Sequence, residues 1–288
     1  MPTVSESNAS LTVESNLQKQ IVYSSGPSTF QDVLSDIKDG LSRTPLWAQF
    51  ATRDLRGRFS GAALGSLWFI IMHLLIVSGL AVMYSKILGT DLREYLPYVA
   101  VGLTVWNIIN GIISDGAGVF PANQVYLKQV KLPFSFFIFR INLKHLLIFF
   151  YQCTVVIGMY ALLKMGPHMI MLLAIPGFML LLLFLLSASL LAGIVATRSR
   201  DMNGLIQSAL RFAFFLTPIF WDARRLGEYA FLMNFNPFYH FLEIVRAPLL
   251  GNYPTAVNYY ACIGMTAITI VLTLFAFKYS MKKLAYWI

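Results

Sequence analysis

Apolar residues run in long blocks along this chain, separated by short polar stretches. The longest, PGFMLLLLFLLSASLLAGIVA, carries no charge over its whole length. A helix needs about 20 mostly apolar residues to cross a hydrocarbon core about 30 Å thick. Six blocks suit that role, at residues 64–88, 96–119, 133–163, 169–196, 204–220 and 257–277. The pattern therefore predicts an all-α integral membrane protein with six transmembrane helices.

Two shorter helical patterns precede the first block. In TFQDVLSDIKDGL, the residues Phe30, Val33, Leu34, Ile37 and Leu41 recur at helical spacing, and Thr29 and Asp32 have the spacing of a capping box. TPLWAQFATRDLRGRFSG follows, with Thr44 as expected N-cap and Pro45 at the first helical position. Trp47, Phe50, Ala51 and Leu55 share one face, and Arg53, Arg56 and Arg58 can reach phosphates. A basic amphipathic helix beside a membrane lies in the interface, and Asp54 belongs to the same element. The expected division is a disordered polar tail over 1–28, amphipathic interface helices over 29–60, and a six-span domain over 61–288.

Composition agrees with the pattern. Of 288 residues, 57% are hydrophobic and 12% charged, about half the charge of a soluble domain. With the N-terminus inside, thirteen Lys and Arg fall on the cytoplasmic side and six outside, which orients both termini toward the cytoplasm. The net charge of +9 reflects this bias and needs no nucleic acid. The tail lacks the apolar core of a signal peptide. Cys153 and Cys262 sit in apolar runs as small core residues.

Catalytic chemistry finds little support. His73, His145, His168 and His240 show no metal-ligand spacing, and no G-x-S-x-G elbow occurs. Neither a phosphate-binding loop nor a Gly-Lys dipeptide is present, so no cofactor is expected in this chain. Gly61 and Gly65 form a small-x-x-x-small step that could let helices approach closely.

Ionisable residues within membrane blocks are costly and default to functional candidates. Arg140 and Lys144 lie four apart on one face of the third block. They either snorkel to the headgroups or offer positive charge to a substrate. Arg211 is expected to line the same route or to pair with Asp115 or Asp201. Between blocks five and six, FNPFYHFLEIVRAPLL is too apolar for a solvated loop and too broken to span. Pro237 and Pro248 should end helices, while Glu243 and Arg246, three apart, can pair.

WAQFATRDLRGRFSGAALGSLWFII, TRSRDMNGLIQSALRFAFFLTPIFWD and NPFYHFLEIVRAPLLG together resemble the permeases of ABC exporters for O-antigen, capsule or teichoic acid, over about residues 45–280. The resemblance implies a homodimer served by two copies of an ATP-binding cassette subunit, which would use ATP and Mg. It implies lipid-linked polysaccharide as cargo, most of all O-antigen, in a bacterial inner membrane. It also implies short re-entrant outer helices between spans five and six, forming an outer gate at Asn236, Pro237, Glu243 and Arg246. ATPase coupling would fall on Pro121, Gln124, Tyr126, Lys128 and Lys131. Aromatics of this family's path cover sugar faces, making Trp68, Tyr84, Tyr98, Trp106, Phe149, Tyr151 and Tyr260 path candidates beside Arg140, Lys144 and Arg211. Two alternatives stay open: a drug or lipid exporter of the same fold, and a non-transport membrane scaffold or enzyme.

Overall fold

A computed structural model describes residues 28–58, 61 and 63–287; most of the predicted tail, residues 1–27, lies outside them. Every regular element among the described residues is helical. The first two are α1 (Phe30–Ser42) and α2 (Thr44–Arg58), and the apolar bundle begins with α3 (Trp68–Leu88), entered through a 3-10 turn. There follow α4 (Leu92–Ala122), the short α5 (Gln124–Gln129), α6 (Phe134–Leu162), α7 (Ala174–Arg198) and α8 (Arg200–Leu216). A 3-10 stretch (Ala223–Phe235) then leads to α9 (Pro237–Leu249) and α10 (Ala256–Trp287).

Five of these helices are long and apolar enough to cross a membrane: those carrying α3, α4, α6, α7 and α10. The fifth predicted block behaves differently. It gives only the 17-residue α8, and its last residues leave the helix at Thr217. Pro218 explains the exit, because the residue before a proline is steered out of the α region.

α4 is the hub. Two-thirds of its apolar window is buried (67%), against 22% for α3 and α10. It packs against α6, α7, α3, α8 and α9. α8 runs antiparallel along it, with Gln207 at Ser114, Phe214 at Trp106, and Phe220 and Trp221 at Tyr95 and Tyr98. The bundle thus has an α5 end, where α1, α2 and α5 gather, and an α9 end.

α1 begins with both hydrogen bonds of the capping box: Asp32 N donates to Thr29 Oγ1, and Thr29 N donates to Asp32 Oδ2. Its buried face meets α6, where Pro133 precedes the helix and cannot cap it. Asp36 caps it instead from α1, accepting from Phe134 N at 2.8 Å and Ser135 N at 2.9 Å. The carboxylate thereby meets the positive end of the α6 dipole. The other face of α1 reaches α10, where Phe30 meets Phe275 edge-on and lies under Lys278 Nζ at 4.3 Å. Both described chain ends therefore lie at the α5 end.

Two local expectations need correction. Gly61 and Gly65 take positive φ (85° and 48°) ahead of the first α-helical residue, so the small-residue step lies in a turn, where it cannot bring two helices together. Thr44 is not an N-cap: it is already helical, and its Oγ1 donates to Leu41 O, the C-terminal turn of α1. The face of α2 itself is as expected, with Ala51 and Leu55 buried and Arg53, Arg56 and Arg58 exposed.

Candidate functional site: two polar clusters at opposite ends of the bundle

The cluster at the α9 end is built around backbone that has left its helix. Residues 217–220 are buried but irregular, and buried carbonyls must find donors. Side chains from α4 and α9 supply them. Tyr95 Oη donates to Phe220 O, and Tyr98 Oη to Pro218 O (3.1 Å) and Trp221 O (2.8 Å). Arg246 Nη1 donates to Pro218 O at 2.6 Å. Asn236 Nδ2 reaches Leu216 O at 3.3 Å and Thr217 Oγ1 at 3.1 Å. Gly102 allows the close approach: a Cβ there would stand 2.7 Å from Ile219 O.

α9 forms because Asn236 caps it, accepting from Phe238 N and Tyr239 N, with Pro237 at the first helical position. Packing against α7, α10 and α4 buries His240, Phe241, Leu242, Ile244 and Val245. The expected Glu243–Arg246 pair exists, with the Arg246 side chain 1% exposed. Its guanidinium also lies 4.0 Å from the Tyr98 ring centroid. Three of the four expected gate residues, Asn236, Glu243 and Arg246, thus act on one structure; Pro237 starts its helix. Pro248 differs from expectation: it sits inside the last turn, and α9 runs one residue past it. A cavity of about 750 Å³ opens above, bordered by Tyr239, Tyr253, Asp222 and Arg224. Burial pushes the Asp222 carboxyl up, but hydrogen bonds from Arg224 outweigh it and hold the group below the usual carboxylate range.

The second cluster lies toward the α5 end. Arg140 of α6 makes a two-pronged ion pair with Asp54 of α2, both contacts at 2.7 Å. Its third arm donates to Asn123 Oδ1 at 3.0 Å, at the joint between α4 and α5. One turn on, Lys144 pairs with Asp115 of α4, which His145 Nε2 also contacts at 2.7 Å. Ser114 and Gln207 join α4 to α8. A cavity of about 400 Å³ lies among these side chains.

Arg211 makes neither of its expected pairs. It meets neither Asp115 nor Asp201 but faces outward on α8, donating to Ser208 Oγ at 3.2 Å. Asp115 is already engaged by Lys144 and His145, and Asp201 lies almost three helical turns away.

The aromatic candidates divide. Trp106 (4% exposed) sits between Phe214 and Phe238, and Phe149 stacks on Phe178 at 4.6 Å. These two are core of this chain. Tyr84 rests on Phe220 and Tyr151 on Phe69, both half-buried, as is Trp68. Tyr260 is 75% exposed on α10. Of the coupling candidates, Pro121 lies in the last turn of α4, Gln124, Tyr126 and Lys128 lie on α5, and Lys131 follows it; all are exposed. Phe50 of α2 meets Tyr126 edge-on, tying α5 to α2.

Sequence reasoning missed Tyr95, Asp222, Arg224 and Asn123. The signal for Tyr95 was its position one turn before Tyr98 on a helix that faces 217–221. No curated protein matches the chain. The family model described as ABC-2 type transporter matches residues 46–250, from α2 through α9. That span takes in both clusters and most of the chain, which belongs to the ABC-2 type transporter family and is thus a transport permease.

Proposed function

We propose that the chain is the permease subunit of an ATP-driven exporter that moves lipid-linked polysaccharide, with O-antigen as the cargo, across a bacterial inner membrane. One observation carries the reading: α9 closes the bundle at one end on an irregular segment held by polar side chains, while the surfaces suited to a partner lie at the other end. In this reading α8 with 217–221 makes the sixth crossing. That crossing returns both chain ends to one side, in keeping with α1 lying on α10, and the side is the cytoplasm.

Two copies of the chain enclose the path, and two ATP-binding cassette subunits, carrying ATP and Mg, dock on α2 and α5. Arg140 touches both docking elements through Asp54 and Asn123, so a push on either reaches α6. At the far end, Glu243, Arg246 and Tyr98 hold the exit closed until the chain arrives. Irregular backbone at membrane depth is tolerated only against protein or a water-filled route, which suits 217–221 to a gate. The outward charge and aromatics of α8, Arg211 among them, face the seam between copies.

The test is ATP hydrolysis by the chain co-expressed with its ATP-binding subunit, with and without lipid-linked polysaccharide. Stimulation by the polymer and not by small drugs is expected. A stable complex that ignores the polymer would leave a drug or lipid as cargo. Failure to assemble with any ATPase would overturn the reading of an ATP-driven exporter.

A further inference from the structure

The cavity at the α9 end has the chemistry of a binding site. At about 750 Å³ it falls within the usual range for small-ligand sites. Arg246 lies at its floor with the side chain 1% exposed. Nη1 and Nη2 are engaged by Pro218 O and Glu243, but Nε finds no acceptor among the described residues. A buried donor left so is uncommon in a site that has only a packing role.

The charges around the cavity balance. Arg93, Arg224 and Arg246 face Glu94, Asp222 and Glu243, and Asp222 and Glu243 already hold guanidinium partners. A free phosphate or an ammonium finds no net counter-charge there. A vicinal diol is served well, because each of its hydroxyls needs a donor or an acceptor and an acid–guanidinium pair presents both side by side. Three tyrosines, Tyr98, Tyr239 and Tyr253, add aromatic surface. Paired acids and arginines among tyrosines match the alternating hydroxyl and C–H surface of a sugar ring.

We propose that this cavity binds a saccharide unit, and that the bound sugar contacts the Glu243–Arg246 pair. The inference deepens the exporter reading and rests on it for its physiological ligand. Sugar in the cavity competes for the side chains that pin 217–221, so the exiting polymer would itself loosen the closure.

The test uses the complex with the ATP-binding subunit in lipid nanodiscs, probed by saturation-transfer NMR. The probes are methyl glycosides of rhamnose, mannose, galactose, N-acetylglucosamine and glucuronic acid. At least one glycoside should give signal, weakened about fivefold or more, roughly 1 kcal/mol of binding, by Tyr253→Ala and by Glu94→Gln. Tyr286→Ala, exposed at the opposite end, should leave it unchanged. The proposal falls if no glycoside binds, if both variants bind as well as the parent, or if inorganic phosphate displaces the sugar. Polymer-stimulated ATP hydrolysis without glycoside binding would remove this site and keep the exporter. Glycoside binding without polymer stimulation would keep the site and remove the polysaccharide cargo.

Discussion

The two polar clusters solve different problems. At the α5 end, ion pairs join separate elements: Asp54 to Arg140 and Asp115 to Lys144 cross from helix to helix. At the α9 end, the ion pairs are local, Glu243–Arg246 three residues apart and Asp222–Arg224 two, and the bonds that hold 217–221 run mainly from side chains to backbone. The first arrangement ties together helices that stay intact. The second secures backbone that is no longer helical. Two regions of one bundle thus use the same residue types in opposite ways, and under the proposed function the first would relay motion and the second would yield.

The largest expected effect breaks the closure. Arg246→Ala leaves Glu243 without its partner and removes a donor to Pro218 O. Unpairing a buried charge costs about 3–5 kcal/mol, which should appear as a sharp loss of thermal stability in detergent. Pairing Arg246→Met with Glu243→Leu should recover part of it, because an apolar replacement of the whole pair is often tolerated. Full recovery would mean that the bonds to the irregular segment matter little.

A smaller effect is expected at the other end. Arg140→Met and Asp54→Asn should each destabilise by about 1–3 kcal/mol and show coupling in a double-mutant cycle. They should also lower ATP-dependent transport more than Arg246→Met with Glu243→Leu does, when transport is compared at equal folded yield. Equal losses at both ends would erase the distinction drawn between relay and closure.

Two caps sharpen the comparison further. Asn236→Ala removes the cap of α9 and a donor to Leu216 O, at a cost of about 1–2 kcal/mol. Asp36→Ala uncaps α6 from a distance and should cost about 1 kcal/mol. Asp36→Asn should be milder, since an amide keeps one acceptor for Ser135 N or Phe134 N. Melting curves distinguish all three.

The smallest expected effect is in pH. The Asp222 carboxyl lies below its ordinary value in the fold, so its contribution is present above the unfolded pKa of about 3.9. It is lost as pH falls through the lower folded value. With the side chain 30% exposed, the change should stay below about 1 kcal/mol, and Asp222→Asn should remove this part of the acid slope.

Local features were legible in the residues themselves. The Thr29–Asp32 box and the Glu243–Arg246 pair need only three-residue spacing on a helix, and both formed. The apolar face of α2 followed from periodicity alone. The interface between α4 and 217–221 did not, because Tyr95 and Tyr98 are over 110 residues distant in the chain and apolar patterning says nothing of which carbonyls a segment leaves bare. Arg211 shows the same limit: its pairing depended on which face of α8 turns to α4, and that face carries Gln207.

The sequence by itself determined that the chain is helical and apolar, where most of its helices start and stop to within a few residues, and which neighbours on one turn can pair; α10 runs ten residues past its predicted end at 277. Those outcomes depend on helix geometry and burial, which act over a few residues. Only the tertiary structure decided that Asp36 caps α6, that Arg140 holds Asp54 and Asn123 together, and that Trp106 and Phe149 are core. Each of these depends on how helices cross, and the side-chain partners meet only after the chain has been brought back on itself.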